Sequence, residues 1–453
     1  MSALLLLIVV LCVALPAAEV AAALPAIWLA QATLLGIRAV LFTVGPVDLT
    51  LADLVLLVLL GKLLFSIVCT REVAAHRSLY LALAIFVLVN FLATLAGGVK
   101  FGGAPMLRGI TALARLCSEM ALVPILAQTV KSIPQARRCV GIVLLTLGAL
   151  ATIQFINFFG ARHGLIIGEV QGTERDALRY FGPVGDSIGS VLLLGYLCAL
   201  CFSSALGAGA FLGGILLTAG LGAIFSAGIG TVIFVCFGVR ASAIRAAFSR
   251  SFWLLPALGF LALVAVVTVG KPLSRTLLDR LGQGNYANSG RQRMASVRLA
   301  GAMIADNPLT GVGYMGYEPA LARYGGEKFF QLAHPDGATA NANNQFLQSL
   351  TDAGLPGLLA FGWLIVAAAR LLRELAAQTG DRFLATFYLG AFLWLLAQVF
   401  GNLAAAWLIP SSYVARLLWI ILGTGIAVTK LMPSSILLPA AKSARPPATL
   451  VPA

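Results

Sequence analysis

The sequence predicts an all-α polytopic membrane protein of about 12 transmembrane helices, with one large external loop that contains short helices. Three observations carry this. The chain is 60% hydrophobic and 11% charged over 453 residues, with a mean hydropathy of +0.96. Soluble chains run near 45–50% apolar and about 25% charged, and a single aqueous core stops growing well below this length. Lipid is the solvent that accommodates the excess. The apolar residues also come in runs of about the 20 residues that a spanning helix needs, and the basic residues fall between the runs.

Taken in order, the runs cover 3–36, 49–69, 79–96, 109–130, 139–159, 186–203, 207–224, 226–239, 252–270, 345–369, 383–403 and 408–428. The first is long and is interrupted by Pro16, Glu19 and Pro25, so it holds one tilted helix or two short ones. It has a leucine-rich stretch but not the basic n-region of a secretory signal, and reads as an uncleaved first span. The 207–239 stretch is too long for one span, and is expected to hold two short helices meeting near Ser226–Gly230. Residues 1–270 therefore form an N-terminal bundle of about nine spans, 271–344 the large loop and 345–428 three further spans. Residues 429–453, rich in Pro, Ala and Ser, form a disordered cytoplasmic tail.

Charge sets the expected sidedness. The connectors 70–78, 131–138, 240–250 and 370–382, like the tail, are short and basic, and such segments stay in the cytoplasm. With all of them inside, both termini are cytoplasmic and the 160–185 and 271–344 loops face outward. The net charge of +14 is explained by these connectors. No cluster has the interleaved aromatics of a single-strand nucleic-acid groove, so nucleic acid is not an expected partner. The seven cysteines all lie in or beside apolar runs, and Cys198 and Cys201 read as two small hydrophobes one helical turn apart rather than a redox pair. Gly209 and Gly213 form a small-xxx-small packing pattern. No internal repeat of the transporter type is apparent.

Ionisable residues inside the runs are few. Arg115 and Glu119 are four apart and are expected to pair on one helix face, while Asp53 and Lys62 can snorkel to an interface. Polar residues concentrate instead in 271–344. This segment has Lys271, Arg275, Arg280, Arg291, Arg293, Arg298, Arg323 and Lys328 against Asp279, Asp306, Glu318, Glu327 and Asp336, with His334 and the asparagines Asn341, Asn343 and Asn344. Met294, Val297 and Met303–Ile304 space apolar residues along an arginine-rich helix that Asn307–Pro308 should end. Arginine presents a planar fork suited to headgroup phosphate or pyrophosphate. Gly311-Val-Gly313-Tyr-Met-Gly316 has the letters of a dinucleotide fingerprint but lacks the preceding strand, and reads as a tight turn.

Ser289-Gly290-Arg291, continuing to Asp306-Asn307-Pro308-Leu309-Thr310-Gly311-Val312-Gly313, resembles the large external loop of the O-antigen ligase and polymerase superfamily. So do Asn343-Asn344-Gln345-Phe346-Leu347-Gln348 and the following Ala353-Gly354-Leu355-Pro356-Gly357, and Arg179-Tyr-Phe-Gly-Pro-Val-Gly-Asp186 resembles the family's upstream segment. The resemblance implies a GT-C-like fold in a bacterial inner membrane. It also implies metal- and cofactor-independent glycosyl transfer at the periplasmic face from a glycan carried on undecaprenyl pyrophosphate. The function so implied is polymerisation of oligosaccharide repeats into O-antigen or exopolysaccharide. The alternatives are a ligase passing glycan to lipid A-core or protein, and, in a different class, a small-solute or ion transporter or a non-catalytic assembly subunit. Membrane lipids, a flippase and a chain-length regulator are the implied partners.

Carried over residue by residue, Arg291 matches the family's loop arginine, with Arg298, Arg179 and Arg175 as further pyrophosphate contacts and Asn343 and Asn344 at the loop's return to the membrane. Glu318, His334 or Asp336 is the candidate acceptor base. Two positions depart from the pattern. Ile229 stands where the family has a second arginine, and Asn343 where ligases have histidine, which favours the polymerase branch.

Overall fold

A computed structural model describes residues 15–34, 42–44, 47–70, 76–160, 163–172, 178–182, 187–218, 221–240, 285–324, 342, 344–401 and 412–432. Helices α1 (Ala17–Leu34) and α2 (Leu51–Thr70) flank a small antiparallel hairpin, β1 (Phe42–Val44) and β2 (Val47–Leu49), in which Thr43 stands opposite Asp48. Then come α3 (Arg77–Phe101), α4 (Gly103–Met120), α5 (Leu122–Thr129) and α6 (Ile133–Gly160). A second hairpin, β3 (Glu169–Gly172) and β4 (Leu178–Gly182), precedes three apolar helices, α7 (Ile188–Cys201), α8 (Ala205–Leu217) and α9 (Leu221–Arg240). The loop contributes α10 (Asn285–Asp306) and α11 (Tyr317–Tyr324). The chain closes with α12 (Gln345–Gln378), α13 (Arg382–Gly401) and α14 (Tyr413–Leu431).

This is a helical membrane protein. Among the described residues six helices are long and apolar enough to cross a membrane: α3, the α4–α5 run, α6, α12, α13 and α14. Each apolar run read from the sequence overlaps a helix except 252–270, which lies outside the described residues, as do 3–14 of the first run and the tail beyond 432. The centre of the bundle is α14, buried from Tyr413 to Val428, together with the wholly buried α7. Helix α5 packs on α14, α13 on α7, and α12 lies between α3 and α13. Some buried polar side chains are satisfied by backbone carbonyls of neighbouring helices, as a lipid surround favours. Trp394 Nε1 and Gln398 Nε2 both donate to the Ser190 carbonyl, at 2.9 and 3.0 Å.

The two ends of the bundle differ. At one end the basic connectors meet: Arg137 donates to Asp381, and His76 Nε2 lies 2.8 Å from Thr429 Oγ1. At the other end α3 and α4 carry the loop, Lys100 donating to Asn307 and Arg108 to Glu318.

Three sequence expectations are corrected. Arg115 and Glu119 do not pair with each other. Arg115 reaches across to Asp53 on α2 at 2.7 Å, and Glu119 accepts from Arg416 on α14 at 2.9 Å, because each has a closer partner on a neighbouring helix than along its own. Asp53 accordingly is buried rather than snorkelling, and Lys62 donates to the Leu15 carbonyl. The division within 207–239 falls between α8 and α9, after Thr218, not at Ser226–Gly230. Ser226 and Thr231 return their hydroxyls to the Gly222 and Ala227 carbonyls, four residues back, so they sit inside α9 without breaking it. On α10, Met294 and Val297 are exposed, and the buried face is Ala295, Ser296, Leu299, Ala300 and Met303.

Candidate functional site

Helix α10 ends where the sequence places its stop. Asn307 folds its side-chain amide back to the Met303 carbonyl at 2.9 Å and Pro308 cannot continue the ladder. The chain then turns through Gly311 (φ 64°), Gly313 (φ 99°) and Met315 (φ 55°). This left-handed path is the tight turn expected of the glycine triplet.

The turn docks on a kink in α12. Ala353 and Gly354 leave the helical conformation, Gly354 at φ 64°, just before Pro356. The backbone groups freed there are taken up by the turn. Val312 N donates to the Thr351 carbonyl and Gly313 N to that of Asp352, each at 2.9 Å, and Leu355 N donates to the Pro308 carbonyl at 2.8 Å. A Cβ on Gly311 would lie 2.4 Å from the Asp352 backbone, and one on Gly354 2.5 Å from that of Leu309. Only glycine at both positions lets the two backbones touch. On the opposite side the turn rests on α3, where Thr94 Oγ1 accepts from Tyr314 N at 3.1 Å. The Asp352 carboxylate, buried at the kink, accepts from Gln348 Nε2 at 2.8 Å and from the backbone N–H groups of Met315 and Gly316.

Above this joint α10 and α11 close a small core of Ala295, Leu299, Met303, Val312, Tyr317 and Leu321. The Tyr317 hydroxyl donates to the Ser296 carbonyl at 3.3 Å, and that of Tyr324 accepts from Asn307 Nδ2 at 3.0 Å. Burial pushes Tyr317 up to about 12 and Tyr314 well above its ordinary value, so neither supplies a base near neutral pH. Lys100 Nζ bonds Asn307 Oδ1 at 2.6 Å, and Arg323 lies 5.6 Å from the centre of the Phe101 ring.

The predicted site residues separate as follows. Arg298 is exposed on α10, and Arg291, seven residues before it, shares that edge of the helix by register, whereas Arg293 belongs to the opposite edge. Both oxygens of Glu318 accept from the Arg108 guanidinium, at 3.1 and 2.9 Å, so acting as a base would require it to release that arginine. Asn344 caps α12, its Oδ1 accepting from Leu347 N at 3.0 Å. Arg179 lies in β4, opposite Gln171. His334, Asp336, Arg175 and Asn343 lie outside the described residues. Among the described residues no group of three or more His, Cys, Asp or Glu is placed to hold a metal ion.

Sequence reasoning missed Lys100, Arg108 and Asp352. Asp352 had a signal, since it is a carboxylate inside an apolar run immediately before Ala-Gly-Leu-Pro-Gly. Lys100 and Arg108 lie between two apolar runs and gain their meaning only from their loop partners Asn307 and Glu318.

No curated protein matches this chain closely enough to count as a relative. The family model described as O-antigen ligase matches residues 206–362. That stretch runs from α8 through α9 and α10 to the kinked half of α12 and includes the turn and the kink on which it docks, so residues 206–362 are similar to the O-antigen ligase family, consistent with the O-antigen ligase and polymerase superfamily.

Proposed function

We propose that the protein polymerises glycan repeats carried on a polyprenyl pyrophosphate, in a bacterial inner membrane, with α10 and α11 at the periplasmic face and both termini in the cytoplasm. The observation that carries this reading is the exposed edge of α10 bearing Arg298, with Arg291 in register, fixed at one end of the bundle by the joint to α12 within the family-matched stretch. Guanidinium groups fixed on a rigid helix suit the charge that develops on a departing pyrophosphate. The donor glycan, a flippase that supplies it and a chain-length regulator are the partners this reading requires, and a twelve-span GT-C-like bundle is its architecture.

The test is Arg291→Lys, with Arg298→Lys beside it, read as surface glycan length on a gel. Lysine keeps the charge and loses the bidentate fork. Collapse to single-repeat glycan is expected, and full-length chains in both variants overturn the assignment. The ligase reading is kept because the matched family model is described by that activity. It predicts long lipid-linked polymer accumulating when the protein is lost, in place of single repeats.

A further inference from the structure

Away from the loop, a cavity of about 310 Å³ opens between α2 and α4, a size in the range of ligand-binding pockets. Its walls are Leu56, Leu57 and Leu60 from α2 and Ile110, Thr111 and Ala114 from α4, with the Asp53–Arg115 ion pair set among them. Leu57 and Ala114 are exposed, and α4 belongs to a membrane-spanning run, so the cavity opens to lipid. The carboxylate is fixed by the start of its own helix. Thr50 N and Oγ1 donate to Asp53 Oδ2 at 2.8 and 2.7 Å, and Asp53 N donates back to Thr50 Oγ1 at 3.4 Å, a reciprocal cap. Arg115 Nη2 donates to that same Oδ2 at 2.7 Å. None of these bonds uses Asp53 Oδ1, and Nε of Arg115 has no partner among the described residues. The guanidinium is 28% exposed. The pair thus keeps an acceptor and further donors unspent, side by side, in the wall of an apolar cavity.

We infer that this cavity binds a zwitterionic phospholipid with a primary ammonium, phosphatidylethanolamine, its phosphate on Arg115, its ammonium on Asp53 and one chain along Leu56, Leu57 and Leu60. Charge selects the headgroup. Glu119, one turn along α4 from Arg115, pairs with Arg416, so two carboxylates and two guanidiniums already balance. An anionic or a cationic ligand would add an uncompensated charge to a desolvated site. A zwitterion adds none, and sets its two charges side by side as the ion pair does. A primary ammonium also donates hydrogen bonds to Oδ1, which a quaternary ammonium cannot. The level suits a headgroup as well. Asp53 lies in the first turn of α2, just after the β1–β2 hairpin, and a hairpin with unpaired edges does not stand in open hydrocarbon. From that boundary Leu56, Leu57 and Leu60 follow Asp53 at i+3, i+4 and i+7, on one face of the helix and leading into the bilayer. The cavity takes the headgroup and the start of one chain, and the rest of the lipid stays in the membrane. The site stands apart from the α10 edge and from the glycosyl-transfer reading.

The test uses the full chain, delipidated in detergent, with lipids of identical acyl chains added back and bound lipid counted by native mass spectrometry. One molecule of phosphatidylethanolamine is expected to bind about tenfold more tightly than phosphatidylcholine or phosphatidylglycerol, the worth of one charge-assisted contact. Ala114→Phe and, separately, Thr111→Leu fill the cavity and leave the ion pair in place. Each should remove that preference while the lipid-free unfolding midpoint stays at the wild-type value. Asp53→Asn keeps a capping oxygen and removes the charge. It should bring phosphatidylethanolamine down to phosphatidylcholine and raise phosphatidylglycerol above both, because Arg115 is then unbalanced. Equal binding of phosphatidylethanolamine and phosphatidylcholine by the wild-type chain overturns the role of Asp53. A wild-type preference for phosphatidylglycerol overturns the zwitterionic occupant, and a phosphatidylethanolamine preference that survives both cavity-filling variants overturns the site.

Discussion

The two sides of α10 are built on opposite principles. Its C-terminal end and the 307–316 turn form a joint with α3 and α12 in which backbone meets backbone, and a single added methyl at Gly311 or Gly354 would collide. Its far edge, from Met294 past Arg298 to Ala305, faces open space. A site that must hold its arginines still while admitting a bulky amphiphile needs both, a rigid foot and an unobstructed working edge. Substitutions in the joint should therefore remove folded protein, and those on the edge should change what the folded protein does.

The strongest way to break that contrast is Gly354→Ala. Alanine would be strained at φ 64° and its Cβ would press on Leu309, so two penalties of about 1–3 kcal/mol each combine. Thermal unfolding in detergent should move down sharply, and retention of the wild-type midpoint would show that the joint yields. Asp352→Ala comes next. It strands the Met315 N–H and the Gln348 amide, at about 1–3 kcal/mol for a buried donor left unmet, while the Gly316 N–H keeps its bond to the Gly313 carbonyl. The expected result is a smaller fall in the midpoint, with new proteolytic sensitivity confined to the 307–316 turn.

Much of this contrast was legible in the sequence, and the missing part is instructive. Asn307–Pro308 and the glycines Gly311 and Gly313 marked the helix stop and the turn because they act locally, through a missing N–H and a permitted positive φ. The apolar runs located the helices because lipid imposes one length rule. What each ion joins was not legible. Arg115 and Glu119 are ideally spaced for each other, and only the approach of α2 and α14 gives them to Asp53 and Arg416. Nor was the buried face of α10 legible: Leu299 and Met303 turn inward with Ala295, Ser296 and Ala300, while Met294 and Val297, equally apolar, are left outside.

Gly301→Ala sharpens the comparison by repeating the Gly354 substitution on the open edge of α10, away from the joint. Gly301 has helical geometry and open space at its Cβ position. The replacement should stabilise by about 0.5–1 kcal/mol, because alanine gives up less backbone freedom on folding. The same methyl would then carry opposite signs at the joint in α12 and on the open edge of α10. A loss of stability at both sites would mean that the edge is packed in solution.

The smallest expected effect belongs to Arg108, and it separates a strut from a catalytic group. Arg108 and Glu318 are 48% and 31% exposed, so their ion pair is solvated at its rim. Exposed pairs contribute about 0–1 kcal/mol even with good geometry. Arg108→Ala should therefore leave the unfolding midpoint almost unchanged, unlike the two substitutions in the joint. It also frees Glu318 as a proton acceptor. If Glu318 were the acceptor base, releasing it should lengthen the glycan or speed its growth, and Glu318→Gln should abolish growth. If the pair is only a strut between α4 and α11, both variants should give wild-type glycan and near-wild-type midpoints. The geometry favours the strut, because two parallel bonds to one arginine hold the carboxylate away from any acceptor hydroxyl.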